Sequence, residues 1–553
     1  MPQLQINQGP QDALLYDNTR SYFTNVGYVR TSNFQQELRD VDPQNSATLG
    51  STVQFVIPKA ADLLGPVDLM LEFTKNTNDL NSALAASDSL FAAWVECLGF
   101  AIIDKIVFSV GSHDIETITG DQLYITNELM RGDEHRFAQH QVLKTGRPAV
   151  SVSAGTGTTY SPIFDADEST KTTGRLIAAK VRGASGTATS YSYDGKKLII
   201  PLGLFFTKHP SQYFPLAAIA GCNDVRISVK LRTLNELLLL KSNADSANGI
   251  VGTTNVTAFD KYPVVNLATG ATKLRCHYVH VTGPEASLLM NKEHVRLLKL
   301  WQNHNVTKTL TGTAIGSSAT KQKLFDFELP FLHPVQELII VIRKASEMSN
   351  STDATATVAA YDQGARAKNY FAFHGAGKDP NIDSDVNSIH ENNGSSNIAQ
   401  AYLTVDNFKL TLNGQERHPS LSSVGLDRDY LMNRLMPMLH SNTSSAFSHV
   451  ADSHYYNTSS TNIASVPFAV DDFKALSELL DRKEIYVYPF ALNPEGANPS
   501  GAVNFSKVSH AKLTIEGYAH STAAQDVEYR CDVWGVHYNW LQIKDGRALT
   551  SFA

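Results

Sequence analysis

Charge is scarce in this sequence. Only 18% of its 553 residues are charged, and 54 acidic against 47 basic side chains leave a net charge of −7. A nucleic-acid binder needs a basic stripe to neutralise phosphates, so no direct nucleic-acid contact is expected. Cysteine is scarce as well. Cys97, Cys222, Cys276 and Cys531 lie far apart without a CxxC pair, which excludes zinc-like spacing and points to buried free thiols. Long hydrophobic runs are missing. The richest, FAAWVECLGFAII (91–103), is too short to span a bilayer and contains Glu96. The opening MPQLQINQGPQD has neither the basic nor the apolar part of a signal peptide, so no secretory route is expected. The seven N-x-[ST] sequons, at Asn255, Asn305, Asn350, Asn393, Asn442, Asn457 and Asn504, are therefore read as unmodified asparagines.

Catalytic signatures are missing too. There is no GxSxG elbow, no GxxxxGK[ST] loop and no GxGxxG; GASGT (183–187) lacks the second glycine an elbow needs. DPNIDSDVNSIHE (379–391) approaches a calcium loop, with Asp379, Asn381, Asp383 and Asp385 alternating. But Ser384 stands where glycine is needed, and Glu391 falls one place late for a bidentate ligand. GDEHRFAQH carries Glu134, His135 and His140 without HExxH spacing, and alternation sends His277 and His280 to opposite faces of a strand. The expectation is no catalytic residue, no cofactor and no metal site.

What is present is strand after strand. STVQFVIP, PVDLMLEF, DKIVFSVG, KKLIIPLGLFF, DVRISVKLR, KLRCHYVHV, LFDFELPF, QELIIVIR, FKLTLNG, EIYVYPFAL and HAKLTIEG are short and rich in Val, Ile, Phe and Tyr. Turn-forming residues bound them. EIYVYPFAL alternates like a half-buried strand. Helical spacing is confined to GDQLYITNELMRGDEHRFAQH and LDRDYLMNRLMPMLH. The order strand, helix, polar insertion, strand, Pro-containing turn, strand occurs once in each half. Two similar β domains in tandem are expected, joined near TGPEASLLMNKEH (282–294). Three polar segments, roughly 142–195, 344–400 and 441–465, read as projecting loops. Between the last two strand runs, Asn493, Pro494, Gly496, Asn498, Pro499 and Gly501 crowd into nine residues, a cluster of tight turns.

Six stretches, in order, resemble the major capsid proteins of nucleocytoplasmic large DNA viruses. GPQDALLYDNTRSYFTNVGYVRTSNF (9–34) is similar to that family's N-terminal arm, departing at Thr19 and Thr31. IIPLGLFFTKHPSQYFPLAAI (199–219) resembles the strand and Pro-Leu turn closing the first domain. FLHPVQELIIVIR (331–343) resembles a family strand, with Leu332 and Ile340 as departures. LNGQERH (412–418), PSGAVNFSK (499–507) and YNWLQIKDG (538–546) complete the series.

The resemblance implies an all-β fold of two tandem eight-stranded jelly rolls, a double jelly roll, with short helices and long loops. The expected division is an arm at 1–35, a first jelly roll at 36–285 and a second at 286–553. It implies a structural protein forming pseudo-hexagonal homotrimeric capsomers that tile the icosahedral shell of a large double-stranded DNA virus. Implied partners are neighbouring capsomers, minor capsid and penton proteins and, through the arm, the face of an internal membrane. Implied locations are the virion and, for assembly, the host-cell cytoplasm. The PSG-x-x-NFS loop is expected to be a structural connector, with Gly501 in a conformation that a Cβ would forbid and Phe505 packed under the turn. A lectin-like attachment protein and a carbohydrate-active enzyme on the same scaffold are the alternatives.

Overall fold

The structure is a computed structural model. It describes residues 33–74, 89–95, 97–130, 150–153, 159–162, 176–181, 189–192, 197–221, 223–243, 266–314, 320–345, 370, 371, 373, 401–417, 426–431, 435–440, 485–496, 498–521 and 526–551. The calcium-like stretch 379–391, the segments 132–140 and 183–187, Cys222 and residues 1–32 of the arm lie outside the described residues.

Each of the eleven strand-like runs contains a strand. In the first half, Phe34–Val41, Lys273–Val281, Leu63–Glu72 and Lys197–Pro201 pair in that order, and Thr52–Ile57, Val225–Leu231, Ile103–Val110 and His113–Thr119 form a second sheet. Their inward residues, among them Leu69, Leu71 and Leu274 from one sheet and Phe55, Ile106, Phe108 and Ile227 from the other, share one core. Alternation is clean here. Val225–Leu231 buries every second residue, the pattern of a sheet covered on one face.

The second half has its own pair of sheets. One orders His294–Thr311, Asp526–Lys544, Pro334–Lys344 and Ile485–Pro489. The other is built on Ala511–Ser521 and Ala401–Leu412. The helix Gly283–Asn291 joins the halves and buries none of its residues. Among the described strands, those before this helix pair only with one another, and so do those after it.

Three expectations need correction. EIYVYPFAL is not half-buried: Ile485, Tyr486, Val487 and Tyr488 are all buried. The strand sits in a sheet with protein on both faces, so its apolar and aromatic residues are consumed in both directions. KKLIIPLGLFF is not one strand. It ends at Pro201, and Phe205–Thr207 is a 3₁₀ turn whose Phe205 and Phe206 join Phe214 around Phe108, with centroids 5.9, 5.1 and 5.2 Å from it. The polar segments are not only loops. Within 142–195, Leu176–Val181 pairs with Ser89–Trp94 and with Thr189–Ser192, because a ladder needs backbone donors and acceptors more than large side chains. Within 344–400, Tyr370, Phe371 and Phe373 are buried anchors.

Cys97, Cys276 and Cys531 are buried free thiols. Burial pushes the Cys276 thiol up to about 12 and raises the Cys531 thiol well above its ordinary value, so both remain protonated.

Candidate functional site

The long sheet of the second half is a shared wall. Along Pro334–Lys344, Ile339 and Val341 pack into the core of the first half, while Leu338, Ile340 and Ile342 pack into that of the second. Ile485 and Val487 face the first core, and Tyr486 and Tyr488 the second. On the neighbouring strand, Cys531 through Asn539 are buried without a break. A period-2 strand with apolar residues at every position buries both faces, and here the two faces belong to two sandwiches. The lobes are therefore joined by core packing, which resists hinge motion in a way that a polar interface does not.

Charged groups fasten this seam at defined points. Arg343 ends the apolar run of the wall strand, and its side chain is wholly buried. Its Nη2 donates to Asp121 Oδ2 at 2.7 Å and to Asp532 Oδ2 at 2.9 Å, and its Nη1 donates to the Tyr370 carbonyl at 2.5 Å. Asp121 opens the helix Gly120–Met130 of the first half, where the helix dipole also favours a negative charge. Burial would raise the Asp121 carboxyl, but Arg343 outweighs it and holds it below the usual range. Arg530 covers the other oxygen of Asp532 at 2.7 Å. The aromatic anchors complete the junction. Phe371 stacks on Tyr124 with centroids 4.1 Å apart, and Arg232 lies 4.2 Å over the Tyr370 ring.

A second junction is the hairpin tip at Asp545 and Gly546, both with positive φ (50° and 74°). The Gly546 carbonyl accepts from Ala220 N at 3.0 Å and Asn223 Nδ2 at 2.8 Å, both in the first half. A Cβ on Gly546 would lie 2.3 Å from the Ala220 Cβ, so only glycine permits this approach. Lys59 ties the same turn by donating to the carbonyls of Ala220 and Asn223.

A further fastening lies within the second half, at the Asn/Pro/Gly loop. Lys299 Nζ donates to the carbonyls of Pro494 and Gly496, each at 2.6 Å. Burial pushes the Lys299 amine down to about 8. His440 stands between Glu337, at 3.1 Å from Nε2, and Glu495, at 3.3 Å from Nδ1. Gly501 has φ 138°, and a Cβ there would meet the Phe490 carbonyl at 2.9 Å. Phe505 is buried between Phe331 and Phe490, each 6.0 Å away between centroids, so it does pack under the turn.

Stretches far apart in the chain meet here. Pro334 and Val335 pair with Asn504 and Val503, joining FLHPV to GAVNFS. Asn413, in the LNG turn with φ 52°, accepts from Ser509 N at 2.9 Å just beyond NFSK. The KDG tip rests on the residues that follow PLAAI. Sequence reasoning did not single out Arg343, Asp121, Asp532, Lys299 or His440. The available signal was the charged residue ending or interrupting an otherwise apolar strand, as Arg343 ends QELIIVIR and Asp532 interrupts RCDVWGV. Among the described residues no three His, Cys, Asp or Glu side chains are grouped to hold a metal ion, and no helix is long and apolar enough to cross a membrane.

Two sandwiches sharing a wall define the class: this is a double jelly-roll protein. Residues 21–279 match the family model described as major capsid protein N-terminus. The major capsid protein of Phaeocystis pouchetii virus is 24% identical over 561 residues, covering 97% of this chain and 96% of that protein. That of Chrysochromulina ericina virus is 21% identical, covering 97% of each. The capsid structure of the virus PBCV-1 superposes with a TM-score of 0.57 at 15% identity, covering 96% of this chain and all of that one. Within its class, then, the chain is a relative, along nearly its whole length, of the major capsid proteins of large DNA viruses.

Proposed function

We propose that this chain is a structural protein, not an enzyme, and builds the shell of a large DNA virus as its major capsid protein. The observation that carries this reading is the shared wall. A shell brick must hold its two lobes at one fixed angle so that copies tile, and a sheet buried on both faces does that. Relatedness to major capsid proteins over 97% of the chain supports the same conclusion.

The finer reading is a homotrimer. Three copies with two lobes each make six similar lobes around one axis, a pseudo-hexagonal capsomer closed by cyclic symmetry. Exposed apolar side chains support contacts between copies. Val295, Gln542 and Leu549 form one row across three paired strands, with Leu297 and Trp540 in the next. Val295 is 56% exposed and Trp540 and Leu549 are each 42% exposed. The edge strand Phe34–Val41 adds exposed Phe34 and Leu38. In this reading 36–285 and 286–553 are the two jelly rolls, and 1–35 is an arm that reaches neighbouring capsomers, minor capsid and penton proteins or an enclosed membrane. The location is the virion, after assembly in the host-cell cytoplasm, a reducing compartment that suits buried free thiols.

Light scattering on the purified protein tests the capsomer, and electron microscopy of expressed particles tests the shell. The expected mass is three chains, unchanged by reductant. A monomer that forms no shells overturns the reading.

A further inference from the structure

We propose that His440 is a proton-held latch: as an imidazolium it fastens loop 491–500 and the helix Met436–Leu439 to the shared wall, and loss of its proton in alkali frees the loop. The geometry suits the charged ring. Both ring nitrogens face carboxylates, Glu337 at 3.1 Å and Glu495 at 3.3 Å, and only the doubly protonated imidazole donates from both. The side chains of His440 and Glu337 are 1% and 0% exposed, so water cannot replace the bond between them.

The groups around the latch set its sign. The wall strand contributes Glu337 and the amide of Gln336, which donates to Glu337 and to the Pro494 carbonyl, each at 3.3 Å. The loop contributes Glu495. The strand His294–Thr311 contributes Lys299, and the strand Asp526–Lys544 contributes Tyr538, its ring centroid 5.9 Å from the Lys299 amine. From the first half, the charge of Lys208 acts on Glu337 and on Lys299, and that of Glu116 acts on Lys208. Among the described residues, His440 thus bridges the buried carboxylate of Glu337 and the half-buried one of Glu495. Lys299 is not equivalent. It grips carbonyl oxygens, and a neutral amine still donates, so its titration leaves the loop attached.

Burial would lower the His440 ring, but the hydrogen bonds to Glu337 and Glu495 outweigh it and raise the ring to about 9. A folded value above the unfolded 6.5 means that the latch contributes fully below pH 6.5. The contribution declines as pH rises and is gone above about 9. Deprotonation then turns one nitrogen lone pair toward a carboxylate and strips a buried charge of its partner. The loop so released carries Leu492, 86% exposed, which makes the latch a control on the shape of an exposed surface.

Hydrogen exchange of the full-length protein at pH 7, 8.5 and 10, corrected for intrinsic rates, tests this. Peptides spanning 490–500 are compared with the strand Ala511–Ser521 as internal reference. In the wild type, protection of the loop should fall about tenfold or more between pH 7 and 10 while the reference holds. In Glu495→Gln the loop should already be weakly protected at pH 7 and change little with pH, and His440→Asn should behave alike. If His440→Asn fails to fold, the wild type and Glu495→Gln decide. Equal loop protection at pH 7 and 10 in the wild type overturns the proposal. So does an undiminished pH response in Glu495→Gln.

Discussion

The strand Val225–Leu231 in the first sandwich and the strand Pro334–Lys344 in the second do the same job with opposite patterns. The first alternates buried and open positions. In the second, every residue from Val335 to Arg343 is buried. The difference lies in what covers the outer face: solvent in one case, the other lobe in the other. A wall with two cores must be apolar throughout, and any charge in it must find its partner inside the protein. That is why Arg343 and Glu337, both buried in the wall strand, are met by Asp121, Asp532 and His440.

The largest effect should come from breaking the charged fastening of the wall. Arg343→Leu leaves Asp121 and Asp532 buried without their shared cation, and chemical denaturation should show a loss of about 3–5 kcal/mol. Arg226→Leu, which removes an exposed pair with Asp224, should change stability by less than about 1 kcal/mol. Equal effects would mean that the wall is no different from the surface.

Truncating the apolar wall comes next. Ile339→Ala and Ile227→Ala should each cost about 2–5 kcal/mol, but with different signatures. Ile227 serves the first sandwich alone, whereas Ile339 joins the second sandwich to the first core. Calorimetry should show the lobes of Ile339→Ala unfolding in separable steps, and those of Ile227→Ala together. Identical traces would count against a load shared between lobes.

Glu116 sharpens the comparison through pH. Burial raises this carboxyl from 4.5 to about 7, against the charge of Lys208 and the Phe205 N–H that donates to it at 2.8 Å. Between pH 4.5 and 7 the folded protein keeps a proton that the unfolded chain has released, so stability falls as pH rises and levels off above 7. Glu116→Gln should therefore stabilise the protein by up to about 3 kcal/mol at pH 8 and hardly at all at pH 4.5. Thermal unfolding across that range checks it; a gain independent of pH would exclude this cause.

The smallest effect belongs to the turn. Gly501→Val forces a β-branched residue into φ 138° against the Phe490 carbonyl, at a cost of about 1–3 kcal/mol. The loss should localise to the second sandwich and lower its unfolding midpoint. An unchanged midpoint would make the glycine incidental.

Local order was legible in the residues. Alternating Val, Ile and Phe marked the strands, and the Asn, Pro and Gly cluster between Asn493 and Gly501 marked tight turns, because backbone preference acts over a few residues and needs no partner. The jelly-roll pair was legible too, through motifs whose glycines and prolines mark connections that the fold cannot alter. What the residues could not disclose is which face of a continuous apolar strand meets which core. In ELIIVIR every position looks alike, and the assignment of Ile339 to one sandwich and Ile340 to the other exists only once both are folded. The same holds for Arg343 with Asp121, partners 222 residues apart. A charge at the end of a strand carries no record of its counterion, since that pairing is decided by how two sandwiches pack and by the cost of burying either charge alone.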